Sequence, residues 1–433
     1  MNWYYFDCLC FTVTFIHLIE CCHHLWRLKS SLHWLKHREL EESTETLTNC
    51  IHLLVPVYNE ATVIEASVKY FTQFTSYAEL HLYYISTQKE GENGATIQAL
   101  QALTQQYDFT WLHYPYIDGK KADQLNWAIH WILDNEPIGG NQRTYFGIYD
   151  VDSRPEPHVI RAMLHAEDSI YQQPAIYLEN FRRIGTFQRV GAFLQTKWEL
   201  GRNVAVLREN YHRHQQKRPI VSLPPCTGHG LFLRSDLLQN DALFNTETPV
   251  ENAPFNTKTL TEDLELGYRL AFNRIPITLL PIVDICGYAP TPTDTIPQTS
   301  RWFSGEVNLY RYYYPRNAFF TWLVIKRYYL TFKWAFGAPL LTVALAMLII
   351  HYPITVLLAL LSVLLYMYIP IKWLCRFPLW TRYLGDKPNV TILVLAGIVR
   401  PLFNSLGPLT YLLTAPLQTL KGKSPVFMKT PKN

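Results

Sequence analysis

The stretch that decides the fold is RTYFGIYDVDS, residues 143–153, in which an apolar and aromatic run ends in two carboxylates one residue apart. The run predicts a buried strand, and the prolines at 155 and 157 predict that the chain leaves the strand there. Open α/β sheets bind ligands at the carboxyl ends of their strands, and carboxylate oxygens suit Mg²⁺ or Mn²⁺. Asp150 and Asp152 are therefore candidate ligands of a divalent cation. Because aspartate is also a frequent turn former, the pair alone leaves a plain turn open.

The chain around this stretch alternates between strand-like and helical patterns from about residue 48 to residue 297. Short apolar runs at 51–57, 80–86, 110–114 and 144–149 alternate with helical periods at 61–74, 95–106, 122–135 and 158–172. This rhythm predicts an α/β fold with one mainly parallel sheet and helices on both of its faces.

Composition narrows the classes of partner. The 433 residues carry a net charge of +4, and only 17% are charged while 14% are aromatic. The near-neutral balance gives no support for a nucleic-acid partner, and the low charge suits a chain that partly faces a lipid bilayer. The eight cysteines are scattered without a C-x-x-C pair, which indicates neither a disulfide framework nor a zinc site.

The N-terminal segment has the length and apolar character of a membrane span. Residues 3–26 are largely apolar, and about 20 such residues cross a bilayer. A helix lying in the membrane interface is the alternative. Four basic residues follow at once: Arg27, Lys29, Lys36 and Arg38. The positive-inside rule then predicts that the next domain is cytosolic.

The C-terminal third predicts further membrane contact. Residues 301–334 are rich in aromatic and basic side chains and predict amphipathic interface helices, while 335–350 and 354–371 predict a transmembrane hairpin. The apolar stretch 390–415 is broken by Arg400-Pro401 and Gly407-Pro408, which leaves a span, a re-entrant segment or two short segments open. The predicted organisation has five parts. They are an N-terminal transmembrane helix with a basic linker (1–47), a cytosolic domain (48–297), the QTSRW stretch with interface helices (298–334), transmembrane helices (335–417) and a basic tail (418–433).

Two stretches at predicted strand-to-helix junctions suit a nucleotide. The strand at 51–57 runs into Pro56-Val57-Tyr58-Asn59-Glu60, whose loop amides and following helix suit an anionic ligand; a generic turn is the alternative. GKKADQLN at 119–126 places two lysines at a helix start, which is unfavourable for the helix dipole unless an anion lies nearby. A solvated basic turn is the alternative there.

Three later stretches carry further candidates. The glycines of PCTGHG, 225–230, allow a backbone to approach a ligand closely, or simply form a tight turn, and His229 alone indicates a structural role rather than a metal ligand. LTEDLELGYRL, 260–270, starts a helix with Thr261 as candidate N-cap; its carboxylates serve either that helix end or as a general base. In QTSRW, 298–302, arginine suits phosphate and tryptophan suits a sugar ring, with a membrane-interface anchor as the alternative.

The order of these motifs resembles that of family 2 glycosyltransferases with a GT-A catalytic domain, in particular the membrane-embedded synthases of cellulose, chitin, hyaluronan and poly-N-acetylglucosamine. Residues 53–60 look like the family's opening strand and turn, and 121–126 like its KADALN segment. Asp150 and Asp152 match its D-x-D, 261–263 its T-E-D and 298–302 its Q-x-x-R-W. Gln298 follows Asp263 by 35 residues, the separation that the family's pattern has. The resemblance covers about residues 48–335 with the flanking membrane helices.

The resemblance implies transfer from a nucleoside diphosphate sugar, most often UDP-linked, with inversion at the anomeric carbon. Asp150 and Asp152 would bind Mg²⁺ or Mn²⁺ and the diphosphate, while Asp263, next to Glu262, would take the proton of the acceptor hydroxyl. Gln298, Arg301 and Trp302 are implied to close over the donor and the acceptor. The other implied donor-site residues are Pro56, Tyr58, Asn59, Glu60, Thr87, Asp118 and Lys121. The implied acceptor-site residues are Cys226, Thr227, Gly228, His229 and Gly230.

Two departures from the family pattern affect specificity. The second strand of the family usually ends in an acidic turn that holds uridine, whereas residues 84–90, YISTQKE, contain no aspartate. Thr87, Glu90 or Asp118 is the candidate substitute. Thr299 stands where processive synthases often carry arginine or glutamine, which weakens the case for processive synthesis.

The sequence therefore predicts an inverting glycosyltransferase of the inner or plasma membrane that extends a polysaccharide. One alternative is a single transfer onto a lipid acceptor, as ceramide glucosyltransferases perform. A second is an inactive protein that binds a nucleotide without catalysis, which the intact Asp150, Asp152, Asp263 and Arg301 disfavour. The sugar, the acceptor and any need for protein partners stay open.

Overall fold

The computed structural model describes residues 3–37, 49–136, 142–238, 254–311 and 317–420. The chain divides into a sheet unit, Arg38–Glu179 and Leu207–Gly287, and a helical unit, Met1–His37, Asn180–Val206 and Tyr288–Pro431. The predicted basic linker at 38–47, including Arg38, lies outside the described residues, and so does the part of the predicted basic tail after residue 420.

The strands all belong to the sheet unit. They are β1 (Cys50–Pro56), β2 (Leu80–Thr87), β3 (Thr110–Tyr114), β4 (Thr144–Ile148), β5 (Arg154–Pro155), β6 (Ile170–Gln172), β7 (Ala175–Ile176), β8 (Leu231–Arg234), β9 (Thr278–Leu279) and β10 (Asp284–Ile285). The large sheet has the order β3-β2-β1-β4-β8-β6-β9, and a small sheet has the order β5-β10-β7.

The helices follow in chain order. They are α1 (Trp3–Lys36), α2 (Ile64–Phe71), α3 (Ala95–Leu103), α4 (Lys121–Asn135), α5 (His158–Leu164), α6 (Thr186–Trp198), α7 (Ala205–Gln215), α8 (Ser235–Leu238), α9 (Glu262–Phe272), α10 (Pro292–Val307), α11 (Ala318–His351), α12 (Val356–Val363), α13 (Ile369–Cys375), α14 (Thr381–Leu384), α15 (Val390–Ala396) and α16 (Arg400–Leu420). Short 3₁₀ turns lie at Thr72–Phe74, Gln88–Glu90, Asn308–Arg311, Pro353–Thr355 and Pro378–Trp380, and π-helical turns at Glu199–Val204 and Leu364–Tyr368.

The large sheet confirms the predicted mainly parallel α/β fold. β1, β2, β3 and β4 are parallel to one another, and among the described strands of this sheet only β8 runs antiparallel to its neighbours, β4 and β6. β4 ends at Ile148, before the prolines at 155 and 157, and Pro155 lies in β5, which pairs with β10 in the small sheet. The carboxyl ends of β1, β2, β3 and β4 therefore meet at one edge of the sheet.

The central strands are buried on both faces. Alternate side chains of β1, at 51, 53 and 55, join the same apolar cluster as α2 and α5. The intervening Leu54 is also fully buried, and α4 packs against β1, β2 and β3. Because each fully buried aliphatic side chain contributes about 1.5–3 kcal/mol, this double burial holds the central strands firmly in register.

One predicted helix is shorter than its sequence pattern indicates. The helical period at 158–172 ends as a helix at Leu164, and β6 occupies its last three residues. Ile170 pairs with Leu233 of β8, and Gln172 pairs with Leu279 of β9. These pairings join residues far apart in sequence, so they override the local helical pattern.

The helical unit contains the candidate membrane spans. Among the described residues, three helices are long and apolar enough to cross a membrane: Tyr4–Lys36, Ala318–His351 and Pro353–Cys375. Val390–Ala396 and Arg400–Pro416 form a pair bent by 42°, which would make a fourth span if the pair is one broken helix. Large apolar side chains on these helices are exposed, among them Ile350 at 70% and Ile354 at 74%, as lipid-facing residues are.

The predicted step from interface helices to spans at residue 334 falls inside α11, which is one continuous helix of 34 residues. A buried ion pair between Glu306 and Arg327 joins α10 to this helix. Leu420 ends α16, so this helix includes the first residues of the predicted tail.

Candidate active site

Lys121 links two segments at the carboxyl edge of the sheet. It is the first residue of α4, and its Nζ donates to Asp150 Oδ1 at 2.7 Å and to the carbonyl oxygen of Gly228 at 2.7 Å. Burial by itself would lower the pKa of the Lys121 ammonium, but the nearby carboxylates, Asp150 first, outweigh burial and raise it. The lysine is therefore held as a cation beside Asp150. Its neighbour Lys120 instead donates to the carbonyl of Thr257 at 2.8 Å.

Asp263 reaches the same place from the first turn of α9. A Cβ atom added to Gly228 would lie 2.9 Å from Asp263 Oδ2 and 3.3 Å from Lys121 Nζ. The missing side chain of Gly228 is thus what allows this carboxylate and this ammonium to approach the loop. We call Lys121, Asp150, Gly228 and Asp263 the charged cluster.

The predicted T-E-D segment lies at the start of α9, with one difference in detail. Thr261 occupies the N-cap position, but its hydroxyl lies 3.2 Å from that of Thr259 and does not cap the helix. Glu262 is buried, and the Asp263 carboxylate accepts from the amide of Leu264 at 2.8 Å. Acidic residues in this first turn are favoured by the helix dipole.

The D-x-D aspartates lie directly after β4. Asp150 accepts from the amide of Ser153 through its backbone oxygen at 3.0 Å, and Asp152 Oδ2 accepts from the amide of Gly287 at 3.3 Å. In the described part of the chain, no group of three or more His, Cys, Asp and Glu side chains could hold a metal ion. Two carboxylates fit Mg²⁺ or Mn²⁺, because such ions commonly bind one or two carboxylates together with phosphate oxygens of a ligand.

The loop at 226–230 is held from several sides. Gln172 accepts from the amide of Thr227 at 3.1 Å and donates to the carbonyl of His229 at 3.0 Å, and the amide of Gly230 donates to Ile148 at 2.8 Å. Cys226 is buried, and burial raises the pKa of its thiol well above the ordinary value. We infer from this that Cys226 packs as a neutral side chain.

Gly267 is a packing position near the charged cluster that the sequence did not reveal. It lies on α9, and a Cβ atom added there would fall on the backbone of Pro224, Pro225 and Cys226. The glycine lets the helix that carries Asp263 pack directly on the segment that leads into the loop at 226–230. The only sequence signal was an isolated glycine within a helical pattern.

Asp284 is a second residue that the sequence did not reveal. It is fully buried on β10, and its carboxylate accepts from Ser153 Oγ at 2.8 Å, the amide of Arg154 at 3.0 Å and His229 Nδ1 at 2.7 Å. Burial lowers the pKa of the His229 imidazole, but the hydrogen bond and charge of Asp284 outweigh burial and raise it above its usual value.

The predicted donor residues at the end of β1 form a turn beside the end of β2. Pro56 ends the strand, and the turn places Asn59 in the left-handed region with a φ of 51°. The amide of Asn59 donates to Glu90 Oε1 at 2.6 Å, and that of Glu60 donates to Thr96 Oγ1 at 2.8 Å. Tyr58 is half-buried, with Lys89 Nζ 5.3 Å from the centre of its ring.

The ends of β2 and β3 carry a chain of uncharged hydrogen-bonding groups. Ser86 Oγ accepts from Trp111 Nε1 at 2.8 Å and lies 2.8 Å from His113 Nδ1, and His113 Nε2 lies 2.8 Å from Gln88 Oε1. We call Ser86, Gln88, Trp111 and His113 the neutral edge. Burial lowers the pKa of His113, which favours its uncharged form.

Two further predicted donor residues lie near the neutral edge in sequence. Thr87 is buried, and its hydroxyl accepts from the amide of Lys89 at 3.3 Å. Asp118 is exposed in the segment between β3 and α4. Of the candidates for the missing acidic turn, Glu90 is the one whose carboxylate contacts the turn after β1.

The Q-x-x-R-W residues lie on α10 of the helical unit. Their spacing places Gln298, Arg301 and Trp302 on one face of that helix, and all three are partly exposed. Gln298 Oε1 is a buried oxygen that has no hydrogen-bond partner among the described residues.

The chain belongs to glycosyl transferase family group 2. The model of this family matches residues 148–375, more than half of the chain, and the match includes Asp150, Asp152, Asp263 and the Q-x-x-R-W residues. No curated protein matches the sequence.

Solved structures resemble the fold. The mannosyltransferase PcManGT from Pyrobaculum calidifontis, in complex with GDP-Man and Mn²⁺, has a TM-score of 0.53 at 16% identity and aligns over 92% of this chain and 98% of its own. TarS 1–349 from S. aureus has a TM-score of 0.38 at 10% identity, with 88% and 94% covered. Glucosyl-3-phosphoglycerate synthase from Mycobacterium tuberculosis, in complex with Mn²⁺, UDP-glucose and phosphoglyceric acid, has a TM-score of 0.33 at 14% identity, with 59% and 79% covered. The first of these similarities supports a GT-A fold for this chain.

Proposed function

We propose that this protein is an inverting membrane glycosyltransferase that moves a sugar from a nucleoside diphosphate sugar, UDP-linked, onto a growing polysaccharide. The observation that carries the proposal is the charged cluster, in which a cationic lysine, a D-x-D carboxylate and a second carboxylate converge at one glycine. Membership of glycosyl transferase family group 2 supports the class of reaction.

In this proposal the leaving diphosphate is held on the β4 side of the site. Asp150 and Asp152 would bind Mg²⁺ or Mn²⁺, and the ion would offset the negative charge that develops on the leaving group. Lys121 adds a fixed positive charge next to Asp150. Fixed charges in a partly buried site stabilise developing charge without a large reorganisation cost.

Asp263 is the proposed general base. It takes the proton from the acceptor hydroxyl while that oxygen attacks the anomeric carbon, and the bond from that carbon to the diphosphate oxygen breaks on the opposite side. The new glycosidic bond therefore has inverted configuration. Gly228 supports this role, because a side chain there would lie against the Asp263 carboxylate. The buried Glu262 is proposed to assist Asp263 through its charge.

The remaining roles are proposed from the family resemblance. The turn Pro56–Glu60, with Thr87, Asp118 and Lys121, holds the nucleotide, and the loop Cys226–Gly230 borders the acceptor. Gln298, Arg301 and Trp302 act on the diphosphate and the acceptor sugar. Gln298 Oε1 is buried and has no hydrogen-bond partner among the described residues, which supports a role in which it accepts a hydrogen bond from a ligand.

The candidate spans support action at a lipid bilayer. Arg27, Lys29 and Lys36, in the C-terminal part of the first candidate span, support a cytosolic sheet unit at the inner or plasma membrane. With only three or four candidate spans in the described chain, a single transfer onto a lipid acceptor is the second candidate function.

Product analysis separates these proposals. Membranes that contain the protein are incubated with UDP- and GDP-sugars in the presence of Mg²⁺ or Mn²⁺, and products are sized by mass spectrometry. A ladder of oligosaccharides supports polysaccharide synthesis, and a single glycolipid supports the lipid acceptor. If neither transfer nor donor hydrolysis exceeds the level of the Asp263→Asn variant, the proposed function is contradicted.

A further inference from the structure

His229 and Asp284 form a buried pair. The proposed function gives His229 only a place in the loop that borders the acceptor, and it gives Asp284 no role. Asp284 is fully buried, and it receives hydrogen bonds from the turn that follows the D-x-D and from the loop at 226–230. One carboxylate thus joins the segment proposed to hold the diphosphate to the segment proposed to border the acceptor.

The ring of His229 is fixed by this carboxylate. Its Nδ1 lies 2.7 Å from Asp284 Oδ2, and its side chain retains 11% exposure. A ring nitrogen that faces a carboxylate carries the proton, so Nδ1 is committed to Asp284. Any contact of this ring with a ligand must therefore use Nε2, for which the described residues provide no hydrogen-bond partner.

The charged groups around the ring favour its protonated form. Asp284 and Asp150 raise the pKa of His229, while burial and Lys121 lower it, and the net shift favours the ring with both nitrogens protonated. In that form Nε2 is a hydrogen-bond donor. The adjacent Gly228 carbonyl accepts from Lys121, which also donates to Asp150, so the loop of His229 borders the proposed diphosphate site.

We propose that His229 binds the diphosphate of the sugar donor through Nε2, and that Asp284 is a positioning residue that fixes the ring for this contact. The inference rests on the proposed function, since it assigns a new contact to the same donor. This inference also explains why the carboxylate of Asp284 is buried next to the D-x-D turn, because the same carboxylate holds the turn and orients His229.

Two substitutions of His229 separate a ligand contact from a merely structural role. The amide nitrogen of asparagine replaces Nδ1–H and can keep the bond to Asp284, whereas that of glutamine reaches the position of Nε2–H. If Nε2 contacts the diphosphate, we expect His229→Asn to raise the donor KM about tenfold or more, the value of one hydrogen bond to a charged group, and His229→Gln to raise it about threefold or less. Asp284→Asn is expected to resemble His229→Asn.

The measurements are donor KM and kcat in purified full-length protein, together with titration by UDP and by GDP in the presence of Mn²⁺. His130→Asn, on the exposed side of α4, is the matched control, and melting curves show that each variant is folded. An Asn variant with wild-type KM and nucleotide affinity, or equal losses in the Asn and Gln variants, would overturn the inference. The titration does not require turnover, so a wild type that binds nucleotide but transfers no sugar refutes the proposed function and still tests this contact. A wild type that neither binds nor transfers overturns both.

Discussion

The charged cluster and the neutral edge occupy the same sheet unit but differ in chemistry. In the charged cluster, ammonium and carboxylate groups from α4, the turn after β4 and α9 meet at Gly228. In the neutral edge, serine, tryptophan, histidine and glutamine exchange hydrogen bonds at the ends of β2 and β3. From this comparison we propose a division of labour in which the charged cluster serves transfer and the neutral edge selects the nucleobase. Transfer from any sugar diphosphate needs fixed charges, whereas selection of a nucleobase needs hydrogen bonds that fit it.

This division makes an ordered set of predictions. Changes in the charged cluster should lower the rate of transfer most, changes in its packing should weaken both fold and activity, and changes in the neutral edge should alter donor affinity.

The largest effect is expected for Asp263→Asn. The amide cannot accept the proton of the acceptor hydroxyl, so we expect kcat to fall by about 10²–10⁴-fold, the range that general bases contribute. Initial rates of sugar transfer measure this. Asp108→Asn, at an exposed position before β3, is the control and should retain wild-type rates. Transfer by Asp263→Asn at the wild-type rate would remove Asp263 from the mechanism.

The next effect is expected for Lys121→Met. This change removes the cation between Asp150 and the Gly228 carbonyl, so we expect kcat/KM for the donor to fall by about 10–10²-fold. Lys120→Met is the matched control, because among the described residues the side chain of this neighbouring lysine donates to the Thr257 carbonyl and not to Asp150. Equal losses of kcat/KM in the Lys121→Met and Lys120→Met variants would show that the net charge of the segment, and not the position of Lys121, determines donor use.

Gly267→Ala tests how the charged cluster is supported. The added methyl group would meet the backbone of residues 224–226, so we expect a loss of stability of about 1–3 kcal/mol, typical of overpacking. Thermal melting should show a lower midpoint, and transfer should fall at temperatures where the variant is folded. An unchanged midpoint with full activity would show that α9 and this segment are not closely packed.

The smallest effect is expected for Ser86→Ala in the neutral edge. Loss of its hydrogen bonds to Trp111 and His113 should raise the donor KM about 3–5-fold, near the value of one hydrogen bond, with kcat within about twofold of the wild type. Ser67→Ala is the control, because Ser67 is also buried and hydrogen-bonded to an aromatic side chain, in its case the hydroxyl of Tyr84, but lies on α2. A large loss of kcat in Ser86→Ala would break the proposed division of labour.

Local patterns predicted the strands well, while long-range contacts stayed hidden. The runs at 51–57, 80–86, 110–114 and 144–149 lie within about a residue of β1, β2, β3 and β4, because an apolar run between turn residues is a property of the segment itself. β6 was concealed in a helical pattern, since its partners β8 and β9 lie far along the chain.

The same distinction applies to the site. Lys121, Asp150 and Asp263 belong to recognisable motifs, and the structure does bring them together at Gly228. Asp284 has no motif of its own and follows Ser153 by 131 residues, so only the fold reveals that it holds the D-x-D turn and His229. The hydroxyl of Thr261 shows a further limit, because its bond to Thr259 depends on side-chain geometry that no spacing rule contains.

The central claim is that the charged cluster separates diphosphate binding, by Asp150, from proton transfer, by Asp263. Titration of the purified wild type, Asp150→Asn and Asp263→Asn with UDP or GDP in the presence of Mn²⁺ tests it most directly. We predict that Asp263→Asn binds within about threefold of the wild type although it transfers almost no sugar, and that Asp150→Asn loses about tenfold or more in affinity. Wild-type binding by Asp150→Asn, or loss of binding by Asp263→Asn alone, would contradict this account.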